Sequence, residues 1–469
     1  MLFSSMTFVF IFLPILCTIY LLSKKEYHNN ILLVASIIFY AWGEPKYLAI
    51  MLLSILINWF GAIFIDRFSN KTKLKQILLI FIISLNLLNL IYFKYFDFII
   101  ENINTLFHSN IDFLKLALPL GISFYTFQAL SYVIDVYRGD CKVQKNIYKL
   151  ALFICLFPQL IAGPIVKYHD IAEQIDSREV NFEKVSEGVK RFIIGLSKKM
   201  LIANTMGAIA DKIFSQDPHT FSHGIAWLGS IAYSFQLFFD FSGYSDMAIG
   251  LGLIFGFRFM ENFNYPYISK SITEFWRRWH ISLSTWFKQY VYIPLGGNRN
   301  GKFKQLRNLG IVFLLTGIWH GAAWNFLIWG IWHGFFIITE KLTGIANETE
   351  NKFKIFIKHI YCIFVFVIGW VIFRADNLKY ACGYLMNMFG LLHTKNEEIT
   401  YILPYYLERF EIIIFIFAII CSIPLFKNIL KVQNKFAKII INSWLIILFF
   451  LSSATIAANT YNPFIYFRF

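Results

Sequence analysis

An all-α, polytopic membrane fold is predicted for this chain from three observations. Hydrophobic residues make up 57% of its 469 positions and charged residues only 15%, against roughly 25% charged in soluble domains. Its apolar runs reach about 20 residues, the helical length that a bilayer core of ~30 Å requires. Its charge is basic, 43 Lys and Arg against 28 Asp and Glu for a net +15, and the cations cluster between apolar runs, as they do in the loops of membrane proteins. These numbers exclude a water-soluble multidomain enzyme, a disordered chain and a nucleic-acid-binding domain. They imply lipid as a contact and no nucleic-acid partner.

The N-terminal stretch lacks a basic leader region and runs straight into Lys24 and Lys25, so it reads as an uncleaved first span. Strong spans are expected near 4–23, 47–65, 77–99, 355–373, 410–426 and 439–458. Shorter or more polar segments fall near 31–42, 119–137, 148–166, 190–213, 224–240, 245–257 and 309–339. Several of these suit re-entrant or interfacial helices, because interrupted backbone at membrane depth is tolerated where it lines a cavity. The total is about a dozen transmembrane or re-entrant helices in a single domain, 1–469. The six cysteines have no C-x-x-C spacing and read as buried small hydrophobes; no metal site is expected.

Basic clusters set the orientation. Lys24–Lys25, Lys71/Lys73/Lys75, Arg299/Lys302/Lys304/Arg307 and Lys427/Lys431/Lys435/Lys438 are expected on the cytoplasmic side. That leaves the N-terminus, the loop 101–118 and the C-terminal tail 460–469 outside. Between Glu274 and Glu340 no acidic residue interrupts the cations. Contact with anionic lipid accounts for this stretch, and so does an entrance for an anionic donor.

Two segments carry chemistry. In residues 273–290, Trp276, Trp279, His280, Leu283 and Phe287 share one face of an amphipathic helix, with Arg277 on another. Residues 309–339 would form ~46 Å of helix, too long for one span and short for two. With both flanks cytoplasmic, the segment must enter and return as a hairpin with its tip near His320–Asn325. The string G-I-W-H-G occurs twice, at Gly317–Gly321 and Gly330–Gly334. The tip favours His320 over His333, although either histidine alone reads as a packing residue. An ionisable group at membrane depth marks a functional site by default. Asp240, Ser242, Tyr244, Ser245 and Asp246 form a polar break between two apolar runs and either line a cavity or satisfy a broken helix.

No G-x-S-x-G elbow, P-loop or H-E-x-x-H helix is present. A neutral imidazole can take the proton of a hydroxyl that attacks an acyl donor. Acyl transfer at a membrane-embedded histidine is therefore the natural reaction class.

The stretches 275–299 and 317–334, with LPLGISFYTFQALSYVIDVYRG (118–139), FPQLIAGPIV (157–166), FFDFSGYSDMAIGLGLIFGF (238–257) and GWVIFRADN (369–377), resemble the membrane-bound O-acyltransferases. The likeness is greatest to the bacterial alginate and peptidoglycan O-acetyltransferase branch and covers essentially the whole chain. It implies a ring of tilted helices with a cytoplasmic and an external funnel meeting at a membrane-embedded histidine, matched by His320, with His280 at a second, more variable polar position. The ending Phe464–Phe469 is similar to the F-x-Y-x-x-F tail of a small partner peptide in the related D-alanylation system, where a tyrosine carries the acyl group. Tyr466 occupies that place here, and an interfacial aromatic belt would also account for it. Trp276, Arg277, Arg278, Trp324, Asn325 and Asp240 are candidate substrate-binding residues.

The resemblance implies a multi-pass enzyme of a bacterial inner membrane. It would take acetyl from a cytosolic thioester, acetyl-CoA, with no tightly bound cofactor. It would pass the group to an extracytoplasmic partner protein and on to a polysaccharide acceptor such as alginate or peptidoglycan. D-alanyl transfer to teichoic acid and transport of lipid-linked sugars are the rival readings.

Overall fold

A computed structural model describes residues 1–161, 163–392, 402–427, 429, 432, 434–458 and 461–464. Among the described residues every regular element is a helix and no strand is formed. Five helices are long and apolar enough to cross a membrane: Pro45–Arg67, Thr72–Phe107, Phe182–Phe214, Lys352–Arg374 and Lys435–Ala458. Four of these match expected strong spans, and Phe182–Phe214 upgrades the segment expected near 190–213.

Two expected spans are corrected. The first is only Phe8–Leu22. The run near 410–426 stops at Cys421 after 13 residues, where Pro424 denies the chain a continuing helical N–H. The expected polar break near 240–246 does not exist either, because His223–Ile254 is one 32-residue helix. Its carboxylates do not interrupt it because basic groups neutralise them: Asp240 pairs with Lys199 at 2.8 Å and Asp246 with Arg191 at 2.9 Å. All six cysteines are free; Cys155 and Cys362 are buried as expected, Cys17, Cys141 and Cys421 are half-buried, and Cys382 is exposed.

The chain divides into two compact units. The first comprises Met1–Phe192 with Ser245–Met260. Within it the helices Leu48–Arg67 and Thr72–Leu90 are joined by a reciprocal amide pair, Asn58 with Asn86, at 2.9 and 3.0 Å. Such paired side chains hold apolar helices together where no hydrophobic gradient exists. Helix Ile122–Arg138 is buried on nearly every side and ends at Gly139, in the left-handed conformation at φ 82°.

Asp135 of that helix, itself buried, holds His169 Nδ1 at 2.7 Å, and Asp170 lies 3.2 Å from Nε2. Hydrogen bonds to Asp135 and then to Asp170 raise the His169 pKa from 6.5 to about 9. A folded pKa above the unfolded one adds stability that is fully present below about pH 6.5 and is lost as pH rises through about 9. The thermal midpoint is therefore expected to fall between pH 7 and 10. His169→Gln should flatten that slope, as unfolding scans across this range would read.

The second unit comprises Ile193–Tyr244 and Glu261–Phe469 and contains both histidine segments.

Candidate active site

Helix Lys302–His320 and helix Trp324–Thr343 are separated by extended residues at Gly321 and Ala323 and return on each other as the expected hairpin. The duplicated G-I-W-H-G places its first glycines at the crossing. A Cβ on Gly317 would lie 2.5 Å from the Phe326 carbonyl oxygen, and one on Gly330 2.5 Å from that of Phe313. Backbones approach this closely only without side chains, as in small-residue crossings of membrane helices. Three residues after each glycine comes a histidine, so the repeat delivers His320 and His333 into one aromatic cluster.

His320 ends the outgoing helix at the hairpin tip. Its ring meets Trp329 at 4.9 Å, Trp319 at 5.0 Å and Phe373 at 5.1 Å, each edge-on. His333 lies on the returning helix, 5.2 Å from both Trp276 and Trp329. Its Nε2 packs so closely on Gly369 that a Cβ there would lie 2.6 Å away. His333 is 0% exposed and His320 is 8%, so His320 is the less completely buried of the two, consistent with its place at the tip.

The segment 273–290 is not one helix. It forms Ile272–Arg278 and Ile281–Phe287, broken at Trp279–His280. His280 takes φ 44°, ψ 54°, a left-handed conformation uncommon without glycine. Asn262 holds the break. Its carbonyl accepts the Ile281 N–H, while its side-chain oxygen accepts the Ser282 N–H at 3.1 Å and the Ser282 hydroxyl at 2.9 Å. Because a backbone N–H donates to Asn262 Oδ1, that atom is an acceptor and His280 Nδ1, 3.1 Å away, is the donor. The lone pair of His280 is then on Nε2, which is buried with no hydrogen-bond partner. Phe241 lies edge-on at 4.6 Å, and Trp319 at 6.1 Å links His280 to the wall of His320.

The first short helix starts on a buried carboxylate. Glu340 accepts the Ile272 and Thr273 N–H groups at 2.6 and 2.8 Å, the Thr273 hydroxyl at 2.7 Å and the Tyr361 hydroxyl at 3.2 Å. It thereby fixes the helix that carries Trp276 to the returning arm of the hairpin.

The remaining candidates divide. Trp276 is buried against Trp329 at 5.6 Å and belongs to the cluster. Asn325 is buried, but its amide donates to Ala375 O at 2.8 Å and ties the hairpin tip to the end of helix Lys352–Arg374. Trp324 is 50% exposed and lies outside the buried wall. Arg278 pairs with Glu274 at 2.9 Å and donates to Asn264 O, whereas Arg277 is exposed. Asp240 is held by Lys199. Tyr466 lies outside the described residues. Among the described residues no group of three or more His, Cys, Asp or Glu side chains is placed to hold a metal ion.

Sequence reasoning missed Trp329, Asn262, Glu340 and Lys199. Trp329 was recoverable, one residue before the second G-I-W-H-G. Asn262 and Glu340 act on partners 18 to 68 positions away and leave no local signal.

A family model described as the membrane-bound O-acyltransferase family matches residues 143–383. The chain is 48% identical over 386 residues to a probable alginate O-acetylase of Pseudomonas syringae pv. tomato, covering 81% of this chain and 74% of that protein. It is 45% identical over 395 residues to a probable alginate O-acetylase of Pseudomonas putida, covering 83% and 80%. It is 38% identical over 435 residues to a peptidoglycan O-acetyltransferase of Helicobacter pylori, covering 83% and 80%.

Proposed function

Because this chain belongs to the membrane-bound O-acyltransferase family, we propose that it is a membrane O-acetyltransferase. In this reading acetyl moves from cytosolic acetyl-CoA to an acceptor outside a bacterial inner membrane, serving O-acetylation of an alginate-like exopolysaccharide or peptidoglycan. The carrying observation is His320, buried at a hairpin tip in a wall of Trp319, Trp329 and Phe373. The relatives named alginate O-acetylase and peptidoglycan O-acetyltransferase support the same chemistry.

His320 is the base. The acceptor hydroxyl gives its proton to the imidazole as its oxygen bonds the thioester carbonyl carbon. The carbon–sulfur bond then breaks, and the imidazolium returns the proton to the departing thiolate. His280, with its proton held on Nδ1 by Asn262, assists through Nε2. The exposed Arg277 and the cations of 299–307 receive the donor's phosphates. Tyr466 is the first acceptor. It holds acetyl as a phenyl ester until an extracytoplasmic partner takes it for the polymer.

The test is acetyl transfer in sealed vesicles holding the purified chain. Labelled acetyl-CoA is supplied on one side, and the partner and polymer on the other. Label appearing on the polymer supports the reading. Uptake of intact sugar without acetyl transfer overturns it in favour of a transporter. Tyr466→Phe should reduce polymer acetylation to background while leaving the thermal midpoint at the wild-type value. Unchanged acetylation would remove Tyr466 from the route.

A further inference from the structure

Residues 461–464 are seated in the second unit by groups that no catalytic step uses. Tyr461 donates its hydroxyl to Asp211 Oδ2 at 2.7 Å, and the other oxygen of Asp211 is paired with Arg374 at 2.6 Å. The amide of Asn204 donates to the Tyr461 carbonyl at 3.4 Å and to Asn462 Oδ1 at 3.5 Å. The ammonium of Lys199 donates to the Pro463 carbonyl. Phe464, buried, lies 4.3 Å from the ring of Tyr244.

Lys199 is the unusual member. Its side chain and that of its partner Asp240 are each 2% exposed. A buried ion pair is favourable only where further hydrogen bonds satisfy the groups the pair leaves over. An ammonium has three donors. Asp240 takes one at 2.8 Å, and the tail carbonyl takes another. Pro463 has no N–H, so this carbonyl is its only backbone hydrogen-bonding group. A π-helical stretch, Lys198–Ala203, carries Lys199, and such wide turns recur at functional sites. Gly207 leaves room for both Gln236 and the tail: a Cβ there would lie 2.6 Å from Gln236 Nε2 and 3.1 Å from the Tyr461 hydroxyl.

We propose that the Lys199–Asp240 pair is a latch that docks residues 461–464, and that Lys199 is a positioning residue for acetyl transfer. This rests on the reading in which Tyr466 carries the acetyl group. The reason is reach: two residues of extended chain span at most about 7 Å, so a docked Phe464 limits Tyr466 to that distance from it. Docking and pairing are coupled both ways, because the tail carbonyl completes the pair and the pair holds the tail.

Hydrogen–deuterium exchange and acetyl transfer, both measured on the full chain, test this. Lys199→Met leaves the Asp240 carboxylate buried without its ammonium. The double variant Lys199→Met, Asp240→Asn leaves no unpaired charge and guards against misfolding. In both, the amides of Asn462 and Phe464 should exchange at least about tenfold faster. Turnover to the partner should fall by a similar factor, with the KM for acetyl-CoA unchanged. Unchanged exchange in the double variant overturns the latch. Faster exchange with unchanged turnover overturns the positioning role. Tyr466→Phe should keep slow tail exchange. If it also keeps full transfer, the relay reading fails while the latch stands.

Discussion

Replacing His320 with alanine is expected to lower acetyl transfer by about 10²–10⁴-fold, the span attributed to a positioned general base. The residue sits at the end of a helix, with three aromatic rings meeting its imidazole edge-on. Truncation opens a space at a tip that is already 8% exposed, so the fold should survive. His333→Ala is the counterpart. His333 is wholly buried between Trp276, Trp329 and Gly369, and its removal leaves a cavity that costs about 2–4 kcal/mol. Its loss should appear in the thermal midpoint, with transfer per folded molecule kept within roughly tenfold. Polymer acetylation and unfolding, measured on both variants, separate the two roles. A folded His320→Ala protein with full acetylation would falsify the assignment.

Gly330→Val is expected to destroy the hairpin. The Cβ added there meets the Phe313 carbonyl oxygen at 2.5 Å and the Gly317 Cα at 3.0 Å. Both are backbone atoms that no side-chain rotation can clear. Overpacking a core typically costs about 1–3 kcal/mol, and a backbone clash exceeds that range, because the two helices must move apart and carry His320 and His333 with them. Gly310→Ala, on the same outgoing helix, is the control. Its Cβ would lie 3.8 Å from Ile338, and the change should be neutral or stabilising by about 0.5–1 kcal/mol. Expression and detergent-solubilised unfolding read both. A Gly330→Val protein as stable as wild type would show that the crossing is not what holds the tip.

Part of the site was legible because it follows from length and spacing. A 31-residue apolar stretch whose two flanks are expected on the same side has to turn, and the turn falls at the residues between Trp319 and Asn325. The repeated G-I-W-H-G pointed at the pair of histidines without revealing that its glycines are the crossing itself. The helix expected over 273–290 fails because periodicity assumes a regular backbone. Asn262 offers the N–H groups of Ile281 and Ser282 a better partner than the preceding turn does, and the chain breaks into a left-handed residue at His280. The expected break near Asp240 fails for the converse reason. A charge that looks disruptive in a linear run is harmless once Lys199 neutralises it.

By itself the sequence determined that this chain is a helical membrane protein, that residues 309–339 turn back as a hairpin with His320 at its tip, and which family it resembles. Composition, run length and motif spacing are properties of one stretch at a time. Only the tertiary structure decided that His333 is sealed where His320 is not, that Glu340 and Asn262 hold the two short helices, and that Lys199 seats the C-terminal tail. Each of these joins groups far apart along the chain. A buried polar group is defined by the partner that satisfies it, and that partner is known only once the chain has folded.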